Sequence, residues 1–364
     1  QEYLDRGILE EHGPSFFLVK RTTPDSPARW GLMVALDLER YDYTPGSTAL
    51  IRASEGTIEE RIPPRKRIRE KAPIELPHIM VLIDDDQRSV IEPLKDEVEH
   101  FQKVYDFDLM MNGGHVTGYK IDDSATMDSI ASALEKMADP DAFEKKHGLR
   151  DVLLFAMGDG NHSLATAKAV WEDMKRDRGV TDELMRHPSR WALVEIENIY
   201  DEALVFEPIH RVVFGSSIDA FRAALEQSNT VEFEEHGSTK EVYERVRKES
   251  GNTSTHSIGV LDANHRGVLK VHDPDSTIAA GTAQQAIDSL LESGGADSVD
   301  YIHGEESTET IGGRKGNIGL LLPPMDKHDF FRTVINDGVL PKKTFSMGGS
   351  NEKRYYVETR KISR

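Results

Sequence analysis

The chain is 364 residues long, 38% hydrophobic and 30% charged, with a formal net charge of −19 at pH 7. Such a length suggests two domains or one large one with insertions, and the apolar share suffices for a packed core. The absence of cysteine excludes a disulfide framework, a thiolate zinc site and a cysteine nucleophile, and no apolar run approaches the roughly 18 residues of a membrane span.

The acidic balance repels phosphate backbones at long range and so argues against nucleic acid as the main partner, while a local cluster of donors can still hold a small anion. Gln1-Glu2-Tyr3-Leu4 has neither the basic region nor the apolar core of a signal peptide, so the expected compartment is the cytoplasm. The missing initiator Met fits a cleaved or truncated start.

In chain order, Phe16–Val19 and Trp30–Leu36 read as antiparallel strands joined by a turn at Thr23–Pro27. Thr48–Arg52 and Ile79–Ile83 are further strand candidates, the second closed by Asp84-Asp85-Asp86. Residues 125–138 form an amphipathic helix by the spacing of Met127, Ile130, Leu134 and Met137, with Ser124 as cap and Pro140 as stop. The apolar run 152–157 reads as a buried strand that enters Gly158-Asp159-Gly160-Asn161-His162-Ser163, and Leu164, Ala167, Trp171 and Met174 stripe the helix that follows.

Beyond residue 190 the pattern alternates again. Trp191–Ile196 is a strand, Val205–Val213 an extended segment broken by Pro208, and Ser217–Gln227 a helix. Gly259–Val271 reads as a hairpin, Ile318–Leu322 as a strand, and Thr282–Leu291 and Lys327–Asn336 as helices. The expected fold class is α/β (α+β), mixed sheets with flanking helices, in two domains, 1–190 and 191–364.

A buried strand that passes through two glycines into a helix suits an anion, because the first helical N–H groups are free and carry part of the macrodipole. Gly158 and Gly160 permit tight turning and close approach of a phosphate. Asp159 can take a proton or hold Mg²⁺, His162 can donate to a phosphate oxygen, and Ser163 can cap the helix or contact the ligand. The plainer reading is an Asp-Gly turn with Asn161 or Ser163 as N-cap and His162 as a surface histidine. The loop is not a Walker motif, since the Gly-Lys-Ser/Thr ending is absent.

An apolar strand, Asp-Gly-x-His and an Ala-rich helix resemble the Asp-Gly-His-His-Arg signature of the bacterial family "domain of unknown function 1015", itself similar to the ParB/sulfiredoxin superfamily and its free-serine kinases. The resemblance extends to Ile51–Arg65 with its Glu-x-Thr element, to Tyr105–Asp108 and Gly113–Val116, to Asn198 with Glu207–Arg211, and to Leu340–Phe345. Asn161 stands where the signature has the first of its two His, and Ser163 where it has Arg; in ParB-like proteins that Arg helps hold nucleotide phosphates. An N-terminal segment of full-length relatives is not found here.

The resemblance implies a ParB/sulfiredoxin-like core in 1–190 packed against a second α/β domain. It implies Mg²⁺ and a nucleotide (ATP or ADP) as cofactors and a small molecule, with serine as the analogue, as phosphate acceptor. In that model Glu55 is the general base, Asp159 (also the metal ligand) and His162 organise phosphate, and Gly158, Gly160, Asn161, Ser163, Arg52, Arg61, His210 and Arg211 bind phosphate or nucleotide.

Each of these has a structural alternative: a loop glutamate, a charge-balanced helix around Arg61–Lys71, a buried His210 bonded to backbone. Asp84–Asp86 can hold Mg²⁺ or cap a turn, and Lys342 and Lys343 can reach a phosphate or remain surface lysines. His115, His162, His210 and His303 lack the spacing of a zinc site. The expected activity is phosphoryl transfer from a nucleotide to a small hydroxylated molecule. Two alternatives stay open: a non-catalytic nucleotide-binding regulatory protein, and a metal-dependent phosphoester hydrolase using Asp84, Asp159 and histidines.

Overall fold

A computed structural model describes residues 2–23, 26–76, 78–347 and 356–363. The tip of the expected Thr23–Pro27 turn lies outside the described residues. The chain separates into two compact units, one made of residues 1–204 with 348–364, the other of Val205–Met347.

Among the described residues, the first unit contains a mixed sheet of nine strands. They are β1 (Phe16–Thr23), β2 (Ser26–Asp37), β3 (Tyr41–Asp42), β4 (Ile51–Arg52), β6 (Met80–Ile83), β7 (Gln102–Asp108), β8 (His115–Ile121), β9 (Phe155–Asp159) and β10 (Trp191–Asn198). A tenth strand, β5 (Ile74–Glu75), pairs outside this sheet with the C-terminal β18 (Arg360–Lys361). The sheet order is β3-β4-β9-β6-β10-β2-β1-β8-β7.

The sequence reading placed Trp191 at the start of the second domain. In the structure β10 pairs antiparallel with β2 and parallel with β6, at the middle of the first sheet. The compact boundary therefore falls after Leu204.

Strand alternation divides the side chains of this sheet between two faces. Leu18, Leu32, Val34, Val81, Met157 and Val194 pack with Leu164, Ala167 and Trp171 of the helix Asn161–Arg178. That helix is fixed at three points along its length. Trp171 is fully buried and its indole N–H donates to Glu39 Oε1 at 2.5 Å, Lys175 Nζ meets the same oxygen at 2.6 Å, and Lys168 Nζ donates to the Leu38 carbonyl at 2.8 Å. The opposite face carries Val19, Met33, Val116 and Leu193 beside buried Arg21, Arg29, Glu195 and Glu197.

Local signals explain several element ends. Asp123, one residue earlier than expected, caps the helix Ser124–Met137 by accepting from Thr126 N at 2.8 Å. Pro140 does not merely stop that helix. It opens the next one, Pro140–His147, at the first-turn position where a missing N–H costs nothing.

The second unit holds β11 (Phe206–Phe214), β12 (Thr230–Glu235), β13 (Thr255–Leu261), β14 (Arg266–His272), β15 (Ser298–His303), β16 (Asn317–Leu321) and β17 (Phe345–Met347). Their order is β12-β14-β13-β16-β11-β15, with β17 also paired to β11. Pro208 does not break β11, because it sits opposite Phe345 of the short β17 near the start of the strand. The helices Ile218–Glu226 and Ala279–Ser293 cover one face through Phe221, Leu225, Ala283 and Ile287. Val242 and Val246 of the helix Thr239–Lys248 cover the other with Leu261, Val268 and Leu321. Among the described residues no helix is long and apolar enough to cross a membrane.

Candidate functional site

The expected strand–turn–helix is present. β9 ends at Asp159, Gly160 occupies the N-cap with φ +86°, and the helix runs Asn161–Arg178. Neither Asn161 nor Ser163 is the cap: no side chain caps this end, and the Ser163 and Leu164 N–H groups donate to the Gly160 carbonyl at 2.8 and 3.0 Å. Gly160 is required for two reasons. Its φ is left-handed, and a Cβ there would lie 2.5 Å from the His78 carbonyl oxygen.

The turn is joined to the Glu-x-Thr loop by two side chains of the turn itself. Ser54 N donates to Asn161 Oδ1 at 3.1 Å, and Asn161 Nδ2 reaches Ser54 Oγ at 3.4 Å. Ile58 N donates to His162 Nε2 at 3.2 Å. Loop residues 54–58 are thereby laid against the start of the helix, which brings Glu55 and Thr57 to the Gly158–Ser163 turn from about a hundred residues away in sequence. Thr57 Oγ1 is buried without a hydrogen-bond partner. Since His162 Nε2 accepts, a neutral ring carries its proton on Nδ1. Asn161, where the resembling signature has the first of its two His, is buried and serves as this clamp.

Asp159 Oδ1 accepts from Gly160 N at 2.7 Å, and its Oδ2 lies 3.4 Å from His78 Nε2. One carboxylate so placed fits a Mg²⁺ that takes most of its remaining ligands from phosphates and water. Among the described residues no group of three or more His, Asp or Glu side chains is placed to hold a metal. The Asp84–Asp86 run shows the same thing locally. Asp84 is engaged by Lys146 at 3.0 Å and His147 at 3.0 Å, and these partners hold its carboxyl below the usual range against the opposing effect of burial. Asp85 accepts from Ser89 N and Val90 N at 2.6 and 2.9 Å, which is turn capping.

The cations separate into different roles. Arg52, expected at phosphate, is buried, and it donates to the carbonyls of Ala49 at 2.7 Å, Asp151 at 2.7 Å and Val152 at 3.2 Å. Arg61 is exposed and immediately precedes the helix Ile62–Arg69, which packs on the helix Asn161–Arg178 and pairs Lys66 with Asp173. His210 and Arg211 belong to the second unit. His210 Nδ1 accepts from Leu322 N at 3.1 Å, and burial pushes its pKa down to about 4. Arg211 is fully buried, donates to the Ile209 and Lys342 carbonyls and lies 5.2 Å from the Tyr301 ring centre.

His78 was not singled out in the sequence. It is an isolated histidine before β6, and only the close approach of β6 to the turn, which pairs Met80 with Asp159, brings it to the site.

Residues 1–290 match the family model described as "Protein of unknown function (DUF1015)". No curated protein matches the chain. Among solved structures, a conserved hypothetical protein from Pyrococcus furiosus is 8% identical, with a TM-score of 0.42 over 91% of this chain and 95% of that one. A free serine kinase in complex with AMP is 9% identical, with a TM-score of 0.42 over 91% of each chain. SbnI from Staphylococcus aureus, truncated at its C-terminus, is 10% identical, with a TM-score of 0.40 over 87% of this chain and 83% of that one.

Proposed function

The chain belongs to the DUF1015 family, whose description assigns no activity, and from its site we propose that it binds a nucleotide phosphate at the Gly158–Ser163 turn. We further propose that it transfers phosphate from ATP or ADP to a small hydroxylated acceptor, serine being the analogue that the family resemblance suggests. A ParB/sulfiredoxin-like core in the first unit belongs to this reading.

The supporting observation is the clamp of loop 54–58 onto the helix start by Asn161 and His162. It sets a glutamate-bearing loop beside a helix N-terminus that no side chain caps, the juxtaposition a general base and a phosphate cradle need. Glu55 takes the proton of the acceptor hydroxyl, the backbone N–H groups at the start of the helix, at Asn161 and His162, meet phosphate oxygens with Arg61, and Asp159 would hold Mg²⁺. That ion, when bound, supplies charge neutralisation across the phosphates. Most of the rate then comes from positioning and preorganised electrostatics.

A non-catalytic nucleotide-binding protein is the second reading, favoured by Arg52 being spent on carbonyls, which leaves fewer cations for the transition state. The third, metal-dependent hydrolysis by Asp84 with Asp159, loses support because Asp84 is already paired with Lys146 and His147.

The deciding experiment is a thermal-shift panel of nucleoside di- and triphosphates, with and without Mg²⁺, on wild type, Asp159→Ala and Glu55→Gln. A ligand at about 100 times its Kd adds roughly 2.7 kcal/mol, a shift of a few degrees. The expected result is stabilisation by one nucleotide, lost in Asp159→Ala and kept in Glu55→Gln, with phosphate transfer to an acceptor lost in Glu55→Gln. Stabilisation without turnover selects the second reading, and no shift with any nucleotide removes both.

A further inference from the structure

The inference rests on the nucleotide reading of the turn and adds two residues to it, one of them beyond the 1–290 stretch that matches the family. His78 lies against the turn twice over. Its carbonyl oxygen occupies the space a Gly160 side chain would need, and its Nε2 stands 3.4 Å from Asp159 Oδ2. Both ring nitrogens are buried and make no hydrogen bond within the protein.

The His78 ring packs on Tyr356, with centroids 4.6 Å apart, and the Arg21 guanidinium lies 4.2 Å from the centre of the same Tyr356 ring. Arg21 is held by Glu358 at 3.3 Å and Glu195 at 3.8 Å, and Tyr105 donates to Glu358. The segment that carries Tyr356 is anchored further along by the β18–β5 pairing, by Arg360 on Glu75 at 2.7 Å, and by Ser189 Oγ on the Ile362 carbonyl at 2.7 Å. A chain of contacts thus runs from the pinned C-terminal segment through Tyr356 and His78 to Asp159.

We propose that His78 and Tyr356 are positioning residues of the candidate nucleotide site: the Tyr356 ring fixes the His78 imidazole, and the imidazole orients Oδ2 of Asp159 across their 3.4 Å contact, while Oδ1 is already held by Gly160 N. A carboxylate hydrogen-bonded at Oδ1 and faced by an imidazole 3.4 Å from Oδ2 presents its remaining lone pairs in one orientation. Loss of such an outer partner typically costs 10–100-fold in metal-dependent affinity. The Tyr356 hydroxyl has no hydrogen-bond partner, so the ring and not the oxygen carries the effect.

The test is titration of the full chain with ADP, with and without Mg²⁺, for wild type, Asp159→Ala, His78→Ala, His78→Gln, Tyr356→Phe, Tyr356→Ala and the double variant Asp159→Ala/His78→Ala. Circular dichroism and a urea midpoint establish which variants are folded, and Tyr356→Phe and His78→Gln stand in where an alanine variant is not. We expect His78→Ala and Tyr356→Ala to weaken Mg²⁺-dependent affinity by roughly tenfold or more, with Tyr356→Phe at wild-type affinity. The double variant should bind no more weakly than Asp159→Ala alone, a non-additivity that a merely structural role does not produce. Unchanged affinity in both His78 variants beside a weakened Asp159→Ala overturns the positioning role and leaves the nucleotide reading standing. Fully additive losses overturn it as well. A wild type that binds no ADP under either condition overturns the nucleotide reading, and the positioning role falls with it.

Discussion

Two adjacent residues, Gly160 and Asn161, set the geometry of the turn by different means. An alanine at 160 meets a left-handed φ of +86° and places Cβ 2.5 Å from the His78 carbonyl oxygen and 3.0 Å from Ile79 Cα, both backbone atoms that cannot swing away. The φ penalty is about 1–2 kcal/mol and the overpacking about 1–3 kcal/mol. Gly160→Ala should therefore lower the urea-unfolding free energy by roughly 2–5 kcal/mol, and a loss below about 0.5 kcal/mol would show the turn to be pliable. Asn161 acts through its acceptor. Asn161→Asp keeps an oxygen for Ser54 N, whereas Asn161→Ala leaves that buried N–H unpaired at about 1–3 kcal/mol. Asp near wild type with Ala well below it is the expected order, and equal losses would mean that the Nδ2–Ser54 Oγ contact carries the clamp instead.

At the scale of elements, Arg52 shows how a residue type that suits phosphate is used by the fold. It ties β4 to the segment entering β9 by donating to three carbonyls, and burial lowers its pKa. A lysine retains the charge but cannot span the fork. Arg52→Lys should therefore destabilise the protein by about 1–3 kcal/mol while ADP affinity of the folded protein stays unchanged; a loss of affinity at full stability would return Arg52 to the ligand. This role was not legible in the sequence, because Asp151 and Val152 are a hundred residues away and β4 is only two residues long, too short to show a period. The turn was legible for the opposite reason. The apolar run before Gly158 and the stripe Leu164, Ala167, Trp171 are local, and they fix the strand and helix on either side. The Glu-x-Thr loop could be attached to that turn only through the family resemblance, and His78 carried no local signal at all. Pro208 misled because a proline demotes a strand in isolation, while its actual partner, β17, is contributed from residues 345–347.

For the whole molecule, the two units carry titrating groups of opposite sign. In the second unit, burial pushes His210 and His256 down from 6.5 to about 4, Arg211 and His303 adding to the effect at His210 while the Thr277 carbonyl opposes it at His256. Each buried neutral ring contributes stability that is complete above pH 6.5 and lost as pH falls towards about 4, on the order of 3 kcal/mol per histidine. The Leu322 N–H bond to His210 Nδ1 gives the loss a structural address, since protonating Nδ1 removes its acceptor. In the first unit, burial raises Glu197 to about 8, so its contribution is complete below 4.5 and declines as pH rises through 8. Arg29 opposes that shift and Glu195 reinforces it. Asp37 and Asp84, both lowered, begin to cost stability only as pH falls below their ordinary 3.8. Between pH 7 and pH 5 the second unit thus loses stability while the first gains from Glu197. Amide hydrogen exchange at the two pH values, corrected for the intrinsic rate, should show protection falling in 205–347, with Leu322 among the amides affected, and holding or rising in 16–198. His256→Gln should flatten part of the change in the second unit. No loss in 205–347 above pH 4 would mean that these histidines are protonated in the folded chain at their ordinary pKa, their burial offset by contacts stronger than the Leu322 and Thr282 hydrogen bonds, and an equal loss in both units would mean that Glu197 does not govern the first.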